Sequence, residues 1–166
     1  MYDEIFSSNE MIEFQNNLSN NNQTVTTAES CTGGLISSMI TEVSGSSKIF
    51  KGSIVTYCNE IKEQELDVKK DTMIKFGVVS CEVVEEMLVG VLKKFKSDFA
   101  IAVSGVAGPN GGTKDKPVGT VAIGVMSNKG MKNIQIFHFK GDRKEVQIQA
   151  AKTALKLNFE ISFKNP

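Results

Sequence analysis

Asp98-Phe99-Ala100-Ile101-Ala102-Val103-Ser104 is apolar along nearly its whole length. It then breaks into Gly105-Val106-Ala107-Gly108-Pro109-Asn110-Gly111-Gly112. An apolar run without alternation, closed by a glycine and proline loop, reads as a strand buried on both faces. Such a strand needs helices above and below it, which selects an α/β architecture. The neighbouring segments agree. Ser80 reads as the N-cap of a helix over 81–96, with Val84, Met87, Leu88, Val91 and Leu92 at helical spacing. Residues 118–126 and 132–140 read as an antiparallel pair around Asn128-Lys129-Gly130, and Gly141-Asp142 opens a last helix to about Phe163.

Toward the N-terminus, residues 1–22 read as a helix, with Ile5, Phe6, Ile12, Phe14 and Leu18 near one face. The β-branched stretch 23–28 is a short strand, Leu35–Val43 an apolar helix, Ser44–Ser47 a loop and 49–57 a strand. Asn59 is the expected N-cap of a helix running to about Leu66, and a second short helix follows Asp71. Helix and strand alternation followed by a strand pair predicts a mixed sheet between helices, in one domain over residues 1–166.

Nineteen Lys plus Arg balance nineteen Asp plus Glu, so the net charge is zero. That argues against a general nucleic-acid or membrane-surface binder, though a local basic pocket is compatible with it. No run of about 18 apolar residues marks a membrane span. The opening MYDEIFSSNEM has acids and no basic stretch, unlike a secretory signal. Cys31, Cys58 and Cys81 are odd in number and match no zinc spacing. A cytoplasmic protein without metal or other cofactor is expected.

Four stretches carry chemistry. In Thr27-Ala28-Glu29-Ser30-Cys31-Thr32-Gly33-Gly34, a strand turns into a helix, and small residues let a ligand approach free N–H groups. Ser30, Cys31 and Thr32 are three candidate nucleophiles in a row; a hydroxyl-rich N-cap with a glycine turn is the plainer alternative. Tyr57 and Lys62 lie five apart after a strand, not at the YxxxK spacing of short-chain dehydrogenases. The plainer alternative is a strand-end tyrosine and a solvated helix lysine. The loop after Ser104 leads through Lys114 and Lys116, and backbone amides with either lysine suit a phosphate. A mobile surface loop is the alternative there. Arg143 is the single arginine among eighteen lysines, which suggests a need for a planar two-pronged donor; an ion pair with Asp142 is the alternative. The single histidine, His138, alternates with Ile134 and Ile136 and reads as a packed strand residue. A serine activated here therefore needs a lysine distant in sequence as its base.

Together these motifs resemble the CinA C-terminal domain family, whose characterised stand-alone members are nicotinamide-nucleotide amidohydrolases of the PncC type. The resemblance covers about residues 10–160. It rests on Thr27 to Gly34, Val55-Thr56-Tyr57 with Asn59, Glu60 and Lys62, Gly77-Val78-Val79-Ser80, Ser104 to Pro109, Gly111-Gly112, Lys116 to Val121 and Gly141-Asp142-Arg143. One departure is Asn110, where the family usually has Asp. The resemblance implies the stand-alone form, a three-layer α/β/α fold and hydrolysis of the carboxamide of nicotinamide mononucleotide. Carried onto this chain, it implies Ser30 as nucleophile, assisted by Lys62 and Tyr57. Thr32, Gly33, Gly34, Ser104, Gly105, Gly108 and Arg143 would surround the nucleotide substrate. A homo-oligomer is expected. A nucleotide-binding module without turnover is the rival reading, and it does not need Lys62 near Ser30.

The chemistry sets a condition on Lys62. A free lysine with pKa about 10.4 is roughly 0.04% neutral at pH 7, and reaching about 10% requires a pKa near 8, about 3.3 kcal/mol of bias. Burial near another cation supplies such a bias, and Arg143 or the pyridinium of the substrate is the expected cation. Lys62 must also face inward. On a helix Glu60 and Glu63 lie about 160° and 100° from it, whereas Glu65 shares its face and must sit at the rim.

Overall fold

The computed structural model describes residues 1–164. Five strands form one sheet in the order β2-β1-β3-β4-β5. They are β1 (Val25–Glu29), β2 (Phe50–Val55), β3 (Phe99–Gly105), β4 (Thr120–Ser127) and β5 (Lys132–His138). Strand β1 pairs in parallel with β2 and β3, and β4 runs antiparallel to β3 and β5, so the sheet is mixed. Six α-helices flank it: α1 (Ser8–Asn20), α2 (Leu35–Thr41), α3 (Asn59–Leu66), α4 (Lys70–Phe76), α5 (Cys81–Phe95) and α6 (Arg143–Lys164). Helices α1, α2 and α6 share one core with the sheet and α3, α4 and α5 the other, giving three α/β/α layers.

Strand β3 shows why its sequence does not alternate in polarity. Phe99, Ile101 and Val103 face α6, while Ala100 and Ala102 face α5, and all five are fully buried. The two faces differ in size. Ala28, Ala100, Ala102, Ala122 and Gly124 make a shallow face on which α5 lies close; a Cβ on Gly124 would stand 2.6 Å from a Val84 methyl. Ser80 caps α5, its hydroxyl accepting from the Val83 N–H.

Several boundaries differ from the sequence reading for local reasons. Helix α1 begins at Ser8, not near residue 1, because Ser7 and Glu10 form a reciprocal capping box. Its buried residues include Met11, Phe14 and Leu18, whereas Ile12 is 46% exposed. Cys58, not Asn59, holds the N-cap position of α3. Helix α4 starts at Lys70, before Asp71, and a short 3₁₀ turn occupies Ser46–Lys48 where a loop is expected. His138 sits exposed, not packed, on the edge strand β5, its ring Nδ1 3.3 Å from the Thr120 hydroxyl.

The topology places the site. From β1 the chain passes through α2 to β2 on one side, while β3 lies on the other. The carboxyl ends of three neighbouring parallel strands therefore converge, a recurrent ligand position in open α/β sheets. Ser30 follows β1, Thr56 and Tyr57 follow β2, and the glycine loop follows β3.

Candidate active site

Lys62, thirty-two residues from Ser30 in sequence, is 1% exposed, and its Nζ donates to Ser30 Oγ at 3.2 Å and to the Thr56 carbonyl at 2.7 Å. Helix α3 turns Lys62 inward while Glu60 points to solvent and Glu65 pairs at the surface with Lys94 at 2.6 Å. Burial lowers the Lys62 pKa from the ordinary lysine value, and the Cys58 and Cys31 thiols oppose that in part. Removal from water is thus the cause, not Arg143, whose guanidinium is engaged elsewhere.

Ser30 is 8% exposed and opens, with Cys31, Tyr57, Gly105, Val106, Gly108 and Arg143, on a cavity of about 280 Å³. The Cys31 side chain is buried in the α6-side core, and burial pushes its thiol pKa up to about 12. A thiolate is therefore scarce at neutral pH, and Cys31 ranks behind Ser30 as a nucleophile.

Gly33 and Gly34 have φ of +59° and +98°, the left-handed values that let the chain double back from Ser30 into α2. The turn is held from below by the Glu29 carboxylate. It accepts from the Thr32 hydroxyl at 2.7 Å, from the N–H groups of Gly34 (3.0 Å), Ile36 (3.1 Å) and Ser37 (2.8 Å), and from the Ser37 hydroxyl at 2.6 Å. Thr32 is 3% exposed, and its hydroxyl is spent on Glu29. The Thr32 hydroxyl and the Gly34 N–H therefore face the protein, contrary to the expectation that they line the substrate. Ser104 is 1% exposed and donates to the Val78 carbonyl at 2.9 Å, so it anchors the segment before α5. Lys116 likewise donates to the Phe76 carbonyl at 2.8 Å, docking the far end of the glycine loop on α4.

Arg143 does use its fork, but on the protein. One prong donates to the Gly108 carbonyl at 2.7 Å and the other to the Tyr57 hydroxyl at 2.8 Å. It ties the cavity's walls together across three elements, while Asp142 caps α6, its carboxylate accepting from the Glu145 N–H. Tyr57 is 62% exposed and lines the same cavity as Ser30, with its hydroxyl on Arg143. Glu29 and Thr56 stand in the quoted motifs without a role of their own, and Gln147 stands in none. Gln147 donates to the Cys31 carbonyl at 2.9 Å from the first turns of α6. Among the described residues no group of three or more His, Cys, Asp or Glu is placed to hold a metal, and no helix is long and apolar enough to cross a membrane.

The fold and site define an α/β domain with a buried serine–lysine pair at the carboxyl ends of its parallel strands. The CinA C-terminal domain model matches residues 9–161, and the chain belongs to that family. A CinA-like protein of Syntrophomonas wolfei is 48% identical over 140 residues, 84% of this chain and 33% of that protein. One from Fervidobacterium nodosum is 53% identical over 76% of this chain and 31% of its own length. The chain thus spans about a third of these curated relatives. A solved competence/damage-inducible protein of Agrobacterium tumefaciens superposes with a TM-score of 0.86 at 34% identity, covering 92% of this chain and 95% of that one. A CinA superfamily protein of Klebsiella pneumoniae gives 0.89 at 31% identity, covering 94% and 97%.

Proposed function

We propose that the chain hydrolyses the carboxamide of nicotinamide mononucleotide to nicotinic acid mononucleotide and ammonia. The observation that carries this reading is the 3.2 Å contact between Lys62 Nζ and Ser30 Oγ, with the lysine buried and its pKa lowered. A module that only binds a nucleotide has no need of that pair, whose burial takes an ammonium out of water at a cost.

Neutral Lys62 takes the Ser30 proton as Oγ bonds to the carboxamide carbon. The carbonyl oxygen gains the negative charge and meets backbone N–H groups of the Ser30 turn. The Lys62 ammonium returns its proton to the nitrogen, and ammonia leaves an ester on Ser30. Water then attacks the ester, giving Lys62 a proton that passes back to the serine oxygen as the acid departs. The Thr56 carbonyl keeps Nζ aimed at Oγ through both halves. Tyr57, whose hydroxyl accepts from Arg143, assists the proton transfers from the outer wall of the same cavity, where Arg143 brings positive charge to the nucleotide.

The test is purified protein with nicotinamide mononucleotide, assayed for ammonia and for the acid product together. Stoichiometric release of both is expected. Tight binding of the nucleotide with no ammonia would favour the binding module.

A further inference from the structure

We propose that Glu29 is a positioning residue that sets the Ser30 turn and presents the Cys31 N–H as an oxyanion donor. The proposal rests on the reading of Ser30 as nucleophile. Glu29 is fully buried, and its carboxylate accepts the five hydrogen bonds given above from residues 32–37, besides a longer one from the Thr27 hydroxyl at 3.4 Å. Five donors of one short segment converge on this side chain, so the segment that follows Ser30 has one arrangement that satisfies them all.

The consequence for the catalytic turn is geometric. The Ser30 carbonyl accepts from the Gly33 N–H at 3.0 Å, inside the turn that Glu29 closes at Thr32 and Gly34. A trans peptide is planar, so the Cys31 N–H points away from that carbonyl. Among the described residues no backbone carbonyl accepts it, its one contact being the sulfur of its own residue, and Cys31 lines the cavity while its side chain lies in the core. A backbone N–H with no carbonyl partner beside the nucleophile can donate to the substrate oxygen on which charge develops in acyl transfer. Glu29 also reaches the lysine half of the pair through its backbone. Its carbonyl accepts the Thr56 N–H at 2.7 Å, and the Thr56 carbonyl in turn holds Lys62. A side-chain substitution at Glu29 disturbs the serine half and leaves this lysine half in place.

Glu29→Gln tests this, because the amide turns an NH₂ group toward a site made of donors and keeps the size. The assay is phosphonylation of Ser30 by a fluorophosphonate, which bonds phosphorus to an activated serine oxygen, releases fluoride and requires no knowledge of the natural amide. Peptide mass spectrometry locates the label. Labelling of Ser30 about 10²-fold slower in Glu29→Gln is expected, the usual order for loss of an oxyanion donor. The protein must still melt well above the assay temperature. Ser37→Ala removes one of the five donors without touching residues 30–34 and is expected to label within a few-fold of wild type. Equal labelling of wild type and Glu29→Gln would overturn the proposal and leave Ser30 as nucleophile. Slow labelling in Ser37→Ala to the same degree would overturn it too, by making the effect one of general loosening. Absence of Ser30 labelling in wild type would overturn both. Normal labelling with no release of ammonia from the mononucleotide would instead reject only the substrate.

Discussion

Gly90→Ala should damage activity from a position well removed from Ser30. Gly90 lies in α5 where the last residue of α3 crosses it; a Cβ there would stand 2.1 Å from the Leu66 carbonyl oxygen and 2.8 Å from its carbon. Ordinary contact begins near 3.4 Å, so the two helices must part by about 1.3 Å. Both obstructing atoms are backbone, so no rotamer change relieves them. Overpacking of this kind costs about 1–3 kcal/mol. At about 2–4 °C per kcal/mol for a chain of this size, Tm should fall by about 2–12 °C. Leu66 is one helical turn beyond Lys62, so the displacement reaches the lysine, and the 3.2 Å contact with Ser30 leaves hydrogen-bond range. A misplacement of about 1 Å can cost on the order of 10²-fold in rate. Circular dichroism melting and kcat/KM for ammonia release read the two effects, with the exposed neighbour Val89→Ala as a neutral control. Wild-type Tm in Gly90→Ala would refute the close crossing. A lowered Tm with unchanged kcat/KM would refute the claim that α3 is held there to aim Lys62.

Further outcomes follow from the same site. The base must be neutral, so kcat/KM should rise with pH through an inflection below the ordinary lysine value, and Lys62→Met should remove the activity and the inflection together. The lowered pKa also makes the unfolded chain hold this proton to higher pH than the fold does. Stability should therefore rise with pH between the folded and unfolded lysine values, a component absent in Lys62→Met and visible in denaturant midpoints. Arg143→Lys replaces a fork that spans Tyr57 and Gly108 by a single ammonium, so KM should rise several-fold with a smaller change in kcat.

The sheet and its helices were legible because their signals are local. The β3 run, the Ser80 cap and the Asn59–Leu66 helix each depend on a few adjacent residues. The Ser7 and Glu10 capping box was equally local, and reading it would have started α1 correctly. The site was legible only in part. Ser30 stands out in its glycine turn, but nothing near Lys62 marks it as buried, since three glutamates surround it in sequence; the resemblance, not the spacing, singled it out. Partners fixed by tertiary structure were invisible. Thr32 and Gly34 read as ligand-facing, but their donors go to the Glu29 carboxylate, and Lys116 reads as a phosphate-binding candidate, but its ammonium sits on the Phe76 carbonyl. His138 alternates with Ile134 and Ile136 as a packed residue would, but it is exposed on an edge strand, which alternation does not reveal.

In the proposed reaction Ser30, and not Cys31, attacks the amide. Ammonia release from nicotinamide mononucleotide by Ser30→Ala and by Cys31→Ala, compared with wild type in one assay, tests it most directly. Loss of activity by at least about 10³-fold in Ser30→Ala, with the fold retained, is expected beside near-normal turnover in Cys31→Ala, whose thiol burial pushes up to a pKa of about 12. Turnover retained in Ser30→Ala and lost in Cys31→Ala would contradict it.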